Sequence, residues 1–377
     1  MVERAESLLP RLRERAHQAE AIRRIPDETI RDFVESGLHR VLQPARYGGY
    51  ELDYGRTQVA LSSTLGRACG SSAWVQAVLA SHAWLLGMYP SAVQDAVWGH
   101  DSDTLVGSAF SFKTGRGRRV DGGVVVSGDW QFSSGSDACQ WVILGTPVER
   151  AEGPPENLWC LVQRPDWQVV DTWYAPGLKG SGSNDVHVDE AFVPAEFTLD
   201  RTQLDGRPTP GSTVNPWYIY RLPLHGFFPF NIAPAAIGIA RGAVEAYVAQ
   251  TAARPERANM VQRQLRISES AAEVDAAEAL LLADCVEIER RGHAGEPFPE
   301  EVRARLVRDL SYAAKLCTQA VERLAATVGA HGMSDDNPVN RALRDVYAVG
   351  NHIAATWDLQ ALHYARAALG LPPAPRY

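Results

Sequence analysis

Gly128-Asp129-Trp130-Gln131-Phe132-Ser133-Ser134-Gly135 is the stretch on which the reading of this chain turns. It closes a run, Val124 to Trp130, whose β-branched residues and alternation predict a strand. That strand runs into an aromatic-Ser-Ser-Gly turn. A second β-like run, Trp141-Val142-Ile143-Leu144, follows almost at once. A turn of this composition offers backbone groups and small hydroxyls at close range to a flat ring. Short Ser/Gly turns also close ordinary hairpins, so the stretch takes its meaning from what surrounds it.

From about Leu105 to Val193, Val, Thr, Trp and Gly dominate in short alternating runs. Turns fall at Asp121-Gly122-Gly123 and Gly153-Pro154-Pro155, which predicts a β-rich domain of barrel or sandwich type. Gly206 to Pro216 reads as a loop or linker. Before the β region the chain is helical. Ile25-Pro26-Asp27-Glu28 is a helix start, Ile30, Phe33 and Val34 form an apolar face, and Gly37 ends it. Ser71 to Met88 predicts a Trp- and Ala-rich helix, which Pro90 separates from Ala92 to Trp98. Helical patterning returns at Leu222. Phe230 to Gln250, Val261 to Arg291, Glu301 to Val328 and Asn340 to Leu369 predict four antiparallel helices. Gly238 and Gly242, four residues apart, predict close approach of another helix. The expected α+β organisation is an N-terminal helical domain (1–103), a central β-barrel domain (104–215) and a C-terminal four-helix bundle (216–377).

Of the 377 residues 45% are hydrophobic and 22% charged, enough for a sizeable core, and the net charge is −8. Arginines lie among Glu and Asp with no basic block, which disfavours nucleic acid and anionic membrane as partners. Met1 to Arg15 alternates apolar and charged residues without a secretory core, and no apolar run is expected to span a bilayer. Cys69, Cys139, Cys160, Cys285 and Cys317 are scattered, with no Cys-x-x-Cys pair, as suits a reducing cytoplasm. The histidines show no ligand spacing, so no metal site is expected. Gly115-Arg116-Gly117-Arg118-Arg119-Val120 lacks the third glycine and following helix of a dinucleotide fingerprint. A redox cofactor would therefore not sit in a Rossmann domain, and no nicotinamide site is visible.

The three-part order, with Ile25-Pro26-Asp27-Glu28, Gly37-Leu38 and Pro44-Ala45-Arg46-Tyr47-Gly48-Gly49, resembles the acyl-CoA dehydrogenase fold. Other motifs are closer to one branch: Ser71-Ser72-Ala73-Trp74, Ser81-His82-Ala83-Trp84, the Trp130–Gly135 turn, Gly177-Leu178-Lys179-Gly180-Ser181-Gly182-Ser183-Asn184-Asp185, and Arg344-Asp345-Val346-Tyr347-Ala348-Val349-Gly350-Asn351-His352. That branch is the oxygenase component of two-component flavin-dependent monooxygenases. The chain departs from it at Tyr347, where the branch often has a further His. The resemblance implies reduced FMN or FAD as a diffusible cosubstrate, an NAD(P)H:flavin reductase that supplies it, dioxygen, and a C4a-hydroperoxyflavin that hydroxylates a phenolic or polycyclic aromatic substrate. It also implies a homotetramer. N- or S-oxidation by the same chemistry is the alternative within the class. Acyl-CoA dehydrogenation is the rival from another class, although the Tyr-x-Gly-Thr-like turn that accompanies its Glu base is not found. A flavin-free scaffold on the same fold is a third reading.

By the same resemblance, Ser134 is the hydroxyl near flavin N5, and Phe132, Ser133 and Trp173 line the ring. Ser108 is a candidate for the pyrimidine edge and Arg263 for a phosphate. His82 is the substrate-facing His and the base toward a phenol. His352, on the last long helix, is the second active-site His, bonding to substrate, to His82 or to the peroxide. Phe227, with its neighbour Phe228, is a candidate for the pocket floor. His331 is read first as a helix-end residue and only second as a cofactor contact.

Overall fold

Five helices form the N-terminal part of the computed structural model, which describes residues 1–372. They are α1 (Val2–Ile22), α2 (Asp27–Ser36), α3 (Tyr54–Gly66), α4 (Gly70–Leu86) and α5 (Ser91–Trp98). Helix α2 starts after Pro26 with acids in its first turn and stops at Gly37, whose φ of 72° is left-handed. Helix α4 is buried along its whole length. That burial explains its Ala- and Trp-rich sequence, which has no polar face.

The central region carries β1 (Val106–Ala109), β2 (Gly115–Val120), β3 (Gly123–Ser133), β4 (Trp141–Val148), β5 (Glu156–Gln163), β6 (Gln168–Val170), β7 (Asn184–Pro194) and β8 (Thr198–Asp200). They form one eight-stranded sheet in the order β6-β7-β3-β2-β4-β5-β8, with β1 parallel to β4. β2 lies between β3 and β4, so the Ser-Ser-Gly turn does not close a hairpin. It opens a crossover and is free to face another part of the molecule.

The rest is helical: α6 (Leu224–Phe227), α7 (Pro234–Ala252), α8 (Pro255–Ala258), α9 (Val261–Ala294), α10 (Glu300–Ala325), α11 (Pro338–Asn351) and α12 (Trp357–Ala368). The stretch Leu224–Ala252 is long and apolar enough to cross a membrane by length and composition, against the sequence expectation. Its apolar window is 72% buried within the protein, as befits a core helix. Helices α3 and α7 touch backbone to backbone: a Cβ on Gly238 would stand 2.4 Å from the Ser62 carbonyl oxygen. This is the close approach expected at Gly238.

The last expected helix is broken. His352 leaves the helical region at ψ 137°. Its carbonyl then accepts the N–H groups of Ala355 (2.8 Å) and Thr356 (2.9 Å) and the Thr356 hydroxyl (3.0 Å). A new helix starts at Trp357-Asp358. His352 therefore occupies a corner between two helices rather than a helix face.

One carboxylate joins the three regions. Asp345 of α11 accepts the Leu178 N–H at 2.7 Å, and a Cβ on Gly70 would stand 2.8 Å from its other oxygen. Beside it, a Cβ on Gly177 would fall 1.9 Å from the Arg344 carbonyl oxygen, so only glycine allows this docking. Burial pushes the pKa of Asp345 up to about 6. Between about pH 4 and 6 the folded chain thus holds a proton that the unfolded chain has released, and stability falls as pH rises through that window. Relative to the usual 3.8, a value of about 6 corresponds to a loss of about 3 kcal/mol. Asp345→Asn should abolish it. Denaturant unfolding of both proteins from pH 4 to 7 should give curves that diverge across the window, and a constant offset would show that Asp345 ionises normally.

Candidate active site

The site is laid out along α4. Trp74, Val78 and His82 lie at i, i+4 and i+8, on one face and spanning about 12 Å of helix. At the first end is the Phe132–Gly135 turn. Between the register pairs Trp130↔Val186 and Ser133↔Asn184, β3 advances one residue more than β7, a β-bulge. Phe132 sits in the bulge at φ 67°, a left-handed conformation unfavourable for an aromatic residue. The bulge turns its ring outward, 65% exposed and edge-on to Trp173 at 6.3 Å.

The hydroxyl of Ser134 accepts the Trp74 indole N–H at 3.0 Å and pairs with the Ser183 hydroxyl at 2.7 Å. Ser183 pairs in turn with Ser181, also at 2.7 Å. The Gly135 N–H bonds the Ser181 carbonyl at 2.9 Å, so the two motifs dock through backbone as well. Trp173 is fixed by its indole N–H on the Leu178 carbonyl (2.9 Å) and by its backbone N–H on Asn184 (3.0 Å). Ser133 points the other way: it is fully buried, and its hydroxyl has no partner.

His352 meets this end of α4 through the edge of Trp74, 5.5 Å between ring centroids. Its Nδ1 accepts the Ala354 N–H at 3.1 Å, so the neutral ring carries its hydrogen on Nε2. Its ring is hemmed in enough to push the pKa down to about 4. The residue stays partly open to solvent, whereas His82 is enclosed.

His82, at the other end, is 2% exposed. Its Nδ1–H donates to the Val106 carbonyl at 2.7 Å, and its Nε2 accepts the Ser108 hydroxyl at 2.6 Å. Desolvation lowers its pKa to about 4. Phe228 stacks on the ring at 6.5 Å and Phe110 stands edge-on at 6.0 Å. The two histidines thus take opposite tautomers, His82 presenting an acceptor nitrogen and His352 a donor. Both His82 nitrogens are engaged elsewhere, so no His82–His352 bond forms.

The structure brings together Ser134, Phe132, Trp173 and His352 at one end and His82 and Ser108 at the other. It does not bring Arg263 or Phe227 to them. Arg263 bonds the Tyr247 hydroxyl (3.1 Å) and the Thr327 carbonyl (2.6 Å) within the bundle. Phe227 is fully buried against Phe298 at 4.7 Å, and the neighbouring Phe228 faces His82 instead. Among the described side chains His331 is not included. Trp74, Ser183, Phe110 and Asp345 were not singled out by sequence as site residues. Phe110 was within reach of the argument, since it lies two residues beyond Ser108 and a strand repeats its face every second residue.

An exposed Phe132 and a half-buried Trp173 beside a row of hydroxyls could take a flat heteroaromatic ring with polar edges. Comparison with known proteins identifies the family of the chain. Family models described as the acyl-CoA dehydrogenase N-terminal and C-terminal domains match residues 5–98 and 230–357. The flavin-dependent monooxygenase oxygenase subunit HsaA of Rhodococcus jostii is 33% identical over 98% of both chains. The oxygenase component of p-hydroxyphenylacetate 3-hydroxylase from Acinetobacter baumannii is 30% identical over all of this chain and 90% of its own. The crystal structure of 3-HSA hydroxylase from Rhodococcus sp. RHA1 superposes with a TM-score of 0.95 over 99% of this chain and 97% of that one, at 32% identity. Fold and site therefore define a flavoprotein monooxygenase on the acyl-CoA dehydrogenase fold. The chain belongs to the oxygenase components of the two-component flavin-dependent monooxygenases. Reduced flavin is its cofactor, and a separate flavin reductase is its partner.

Proposed function

We propose that this oxygenase hydroxylates a ring carbon of a phenolic compound, with the phenol oxygen at Ser108 and His82. The observation that carries the reading is the pair of neutral imidazoles in opposite tautomers. Reduced flavin supplies two electrons and activates dioxygen, so that one oxygen atom enters the ring and the other leaves as water. Ser134, Trp74, Phe132, Trp173 and His352 would hold the flavin edge and keep water from it. Ser108 already donates its hydrogen to His82 Nε2, so its lone pairs are left to accept the phenol hydrogen. As charge develops on the phenol, its proton passes to Ser108 and the Ser108 proton to His82. A His82 pKa of about 4 is far below a phenol's. The bound phenol therefore stays neutral in the ground state and gives up its proton only as the ring carbon takes the oxygen. His352 Nε2–H supplies a hydrogen bond at the other end. A relative named for p-hydroxyphenylacetate supports a phenolic substrate.

Exposed apolar side chains on and around α12, among them Ile353, Leu362 and Leu369, suit burial by further copies, which supports a homotetramer. Five free, buried thiols suit a reducing compartment such as the cytoplasm.

The chain alone should leave NADH and NADPH unoxidised. Mixed with chemically reduced flavin, dioxygen and a phenol, it should form the dihydroxylated product carrying one oxygen atom from labelled dioxygen. Rapid NADH oxidation by the isolated chain, or hydrogen peroxide as the only product with every phenol tried, would overturn the proposal.

A further inference from the structure

Helix α1 ends on an arginine where glycine is the usual residue. Arg23 caps it in the left-handed conformation, φ 55° and ψ 27°. A Cβ makes that conformation unfavourable, and helices that end this way mostly do so on glycine. A side chain persists there when its surroundings hold it. What holds Arg23 is a segment 148 to 150 positions further along the chain. Its guanidinium forms a two-pronged pair with the Asp171 carboxylate at 2.5 and 2.6 Å and donates to the Trp173 carbonyl at 3.2 Å. It also lies over the Tyr174 ring at 3.9 Å, and the Tyr174 hydroxyl closes the set on Asp171 at 3.1 Å.

The segment so held has no regular structure of its own. Residues 171–175 run between β6 and β7 without helix or strand, so contacts from outside set their geometry. The start of β7 supplies one group of them: Asn184 accepts the N–H groups of Thr172 (3.1 Å) and Trp173 (3.0 Å). The last turn of α1 supplies another. Glu20 binds Arg344 of α11 at 2.6 Å, and Arg344 donates to the Pro176 carbonyl at 3.0 Å. A Cβ on Gly180 would stand 2.8 Å from the Ala19 Cβ. The end of α1 thus follows the chain from Asp171 to Gly180, and Arg23 is where it bonds Trp173 itself.

We infer that Arg23 is a positioning residue for the flavin: it fixes the backbone of Trp173, so that the indole is already in place when reduced flavin arrives. Arg23 and Asp171 are both partly exposed, so their pair adds little to overall stability. Its effect is on binding, because a loose Trp173 would have to be ordered by the flavin, and that ordering weakens affinity. The inference rests on the placement of Trp173 at the flavin edge proposed above.

Reduced FMN is the probe, in anaerobic equilibrium dialysis without a phenol, which reads binding alone. Arg23→Gly should weaken binding roughly two- to tenfold, the scale of ordering one side chain. The same substitution gives the helix end the residue its conformation favours. Thermal stability should therefore be no lower than in Arg23→Ala, while both variants lose FMN affinity alike. Arg23→Lys keeps the charge but not the planar fork and should recover only part of it. In coupled hydroxylation the half-saturating concentration of reduced FMN should rise by the same factor, with turnover at saturation unchanged. Arg56→Ala removes a similar pair between α3 and α9, Arg56 with Glu289 at 2.7 and 3.0 Å, and should leave FMN binding as it was. Wild-type affinity in Arg23→Gly beside weakened binding in Trp173→Ala overturns the role of Arg23 while the flavin placement stands. Wild-type affinity in Trp173→Ala overturns the placement and the inference with it. Affinity that simply follows thermal stability across the Arg23 and Arg56 variants overturns the inference as well, since Arg23 then only supports the fold.

Discussion

His82→Ala is expected to slow hydroxylation by about a hundred- to ten-thousandfold, the range lost with a general base. Reduced flavin should still be oxidised by dioxygen, but the electrons should leave as hydrogen peroxide rather than in product. The cause is geometric. His82 Nε2 is the acceptor that holds the Ser108 hydrogen, and without it Ser108 has nowhere to pass a proton. Because desolvation holds the His82 pKa at about 4, the wild type should show no transition near 6.5 from this residue. Raising the pH toward the phenol's own pKa, about 10 for a simple phenol, should partly restore the variant, since the substrate then arrives ionised. His352→Ala should show less rescue, because His352 offers a donor and not a base. Single-turnover coupling against pH decides between them. Equal, pH-independent losses in both variants would remove the phenolate route and favour oxidation at nitrogen or sulfur, which needs no deprotonated substrate. A circular dichroism spectrum matching the wild type guards against a folding defect at this buried position.

The second large effect is expected at Ser134. Removing its hydroxyl should hasten release of hydrogen peroxide about ten- to hundredfold, corresponding to about 1–3 kcal/mol for one lost contact. The hydroxyl row refines this expectation. Ser134 accepts from Trp74, so it keeps one lone pair for the flavin only if its own hydrogen points to Ser183. Ser183→Ala removes that acceptor and should turn the Ser134 hydrogen toward the flavin. It should therefore reproduce part of the Ser134→Ala effect although Ser134 is intact. Normal coupling in Ser134→Ala would reduce the residue to a turn-former. Normal coupling in Ser183→Ala alone would show that the row does not set the direction of the hydroxyl.

The helical segments and the strand before the Ser-Ser-Gly turn were legible because burial imposes periodicity and helix ends carry their own residues. Pro26, Gly37 and Pro90 stand where chain direction changes. The role of the turn was not legible. Whether β3 pairs with β4 depends on β2 coming between them, a long-range fact with no local mark. The bulge that turns Phe132 outward is likewise set by its partner strand β7. The break at His352 lacks Gly or Pro at its centre and shows only in the fresh start at Thr356-Trp357-Asp358. Phe227 and Phe228 are adjacent and alike, and the kink at His225 and Gly226 decides which of them faces His82. Arg263 presented an exposed-looking helix position in sequence, yet Tyr247 of α7 and Thr327 in the turn after α10 engage it.

The junction at Asp345 gives the molecule a single assembly point. The Leu178 amide is bonded to a residue 167 positions away, while α4 presses on the same carboxylate at Gly70. None of the three regions can hold the hydroxyl row alone: Ser134 and Ser183 come from the loops at the end of β3 and the start of β7, Trp74 from α4, and the brace behind them from α11. The Leu178 amide should accordingly exchange with deuterium only when the whole chain opens. Its exchange rate then serves as a clock for global unfolding, read from one backbone position beside the catalytic pocket.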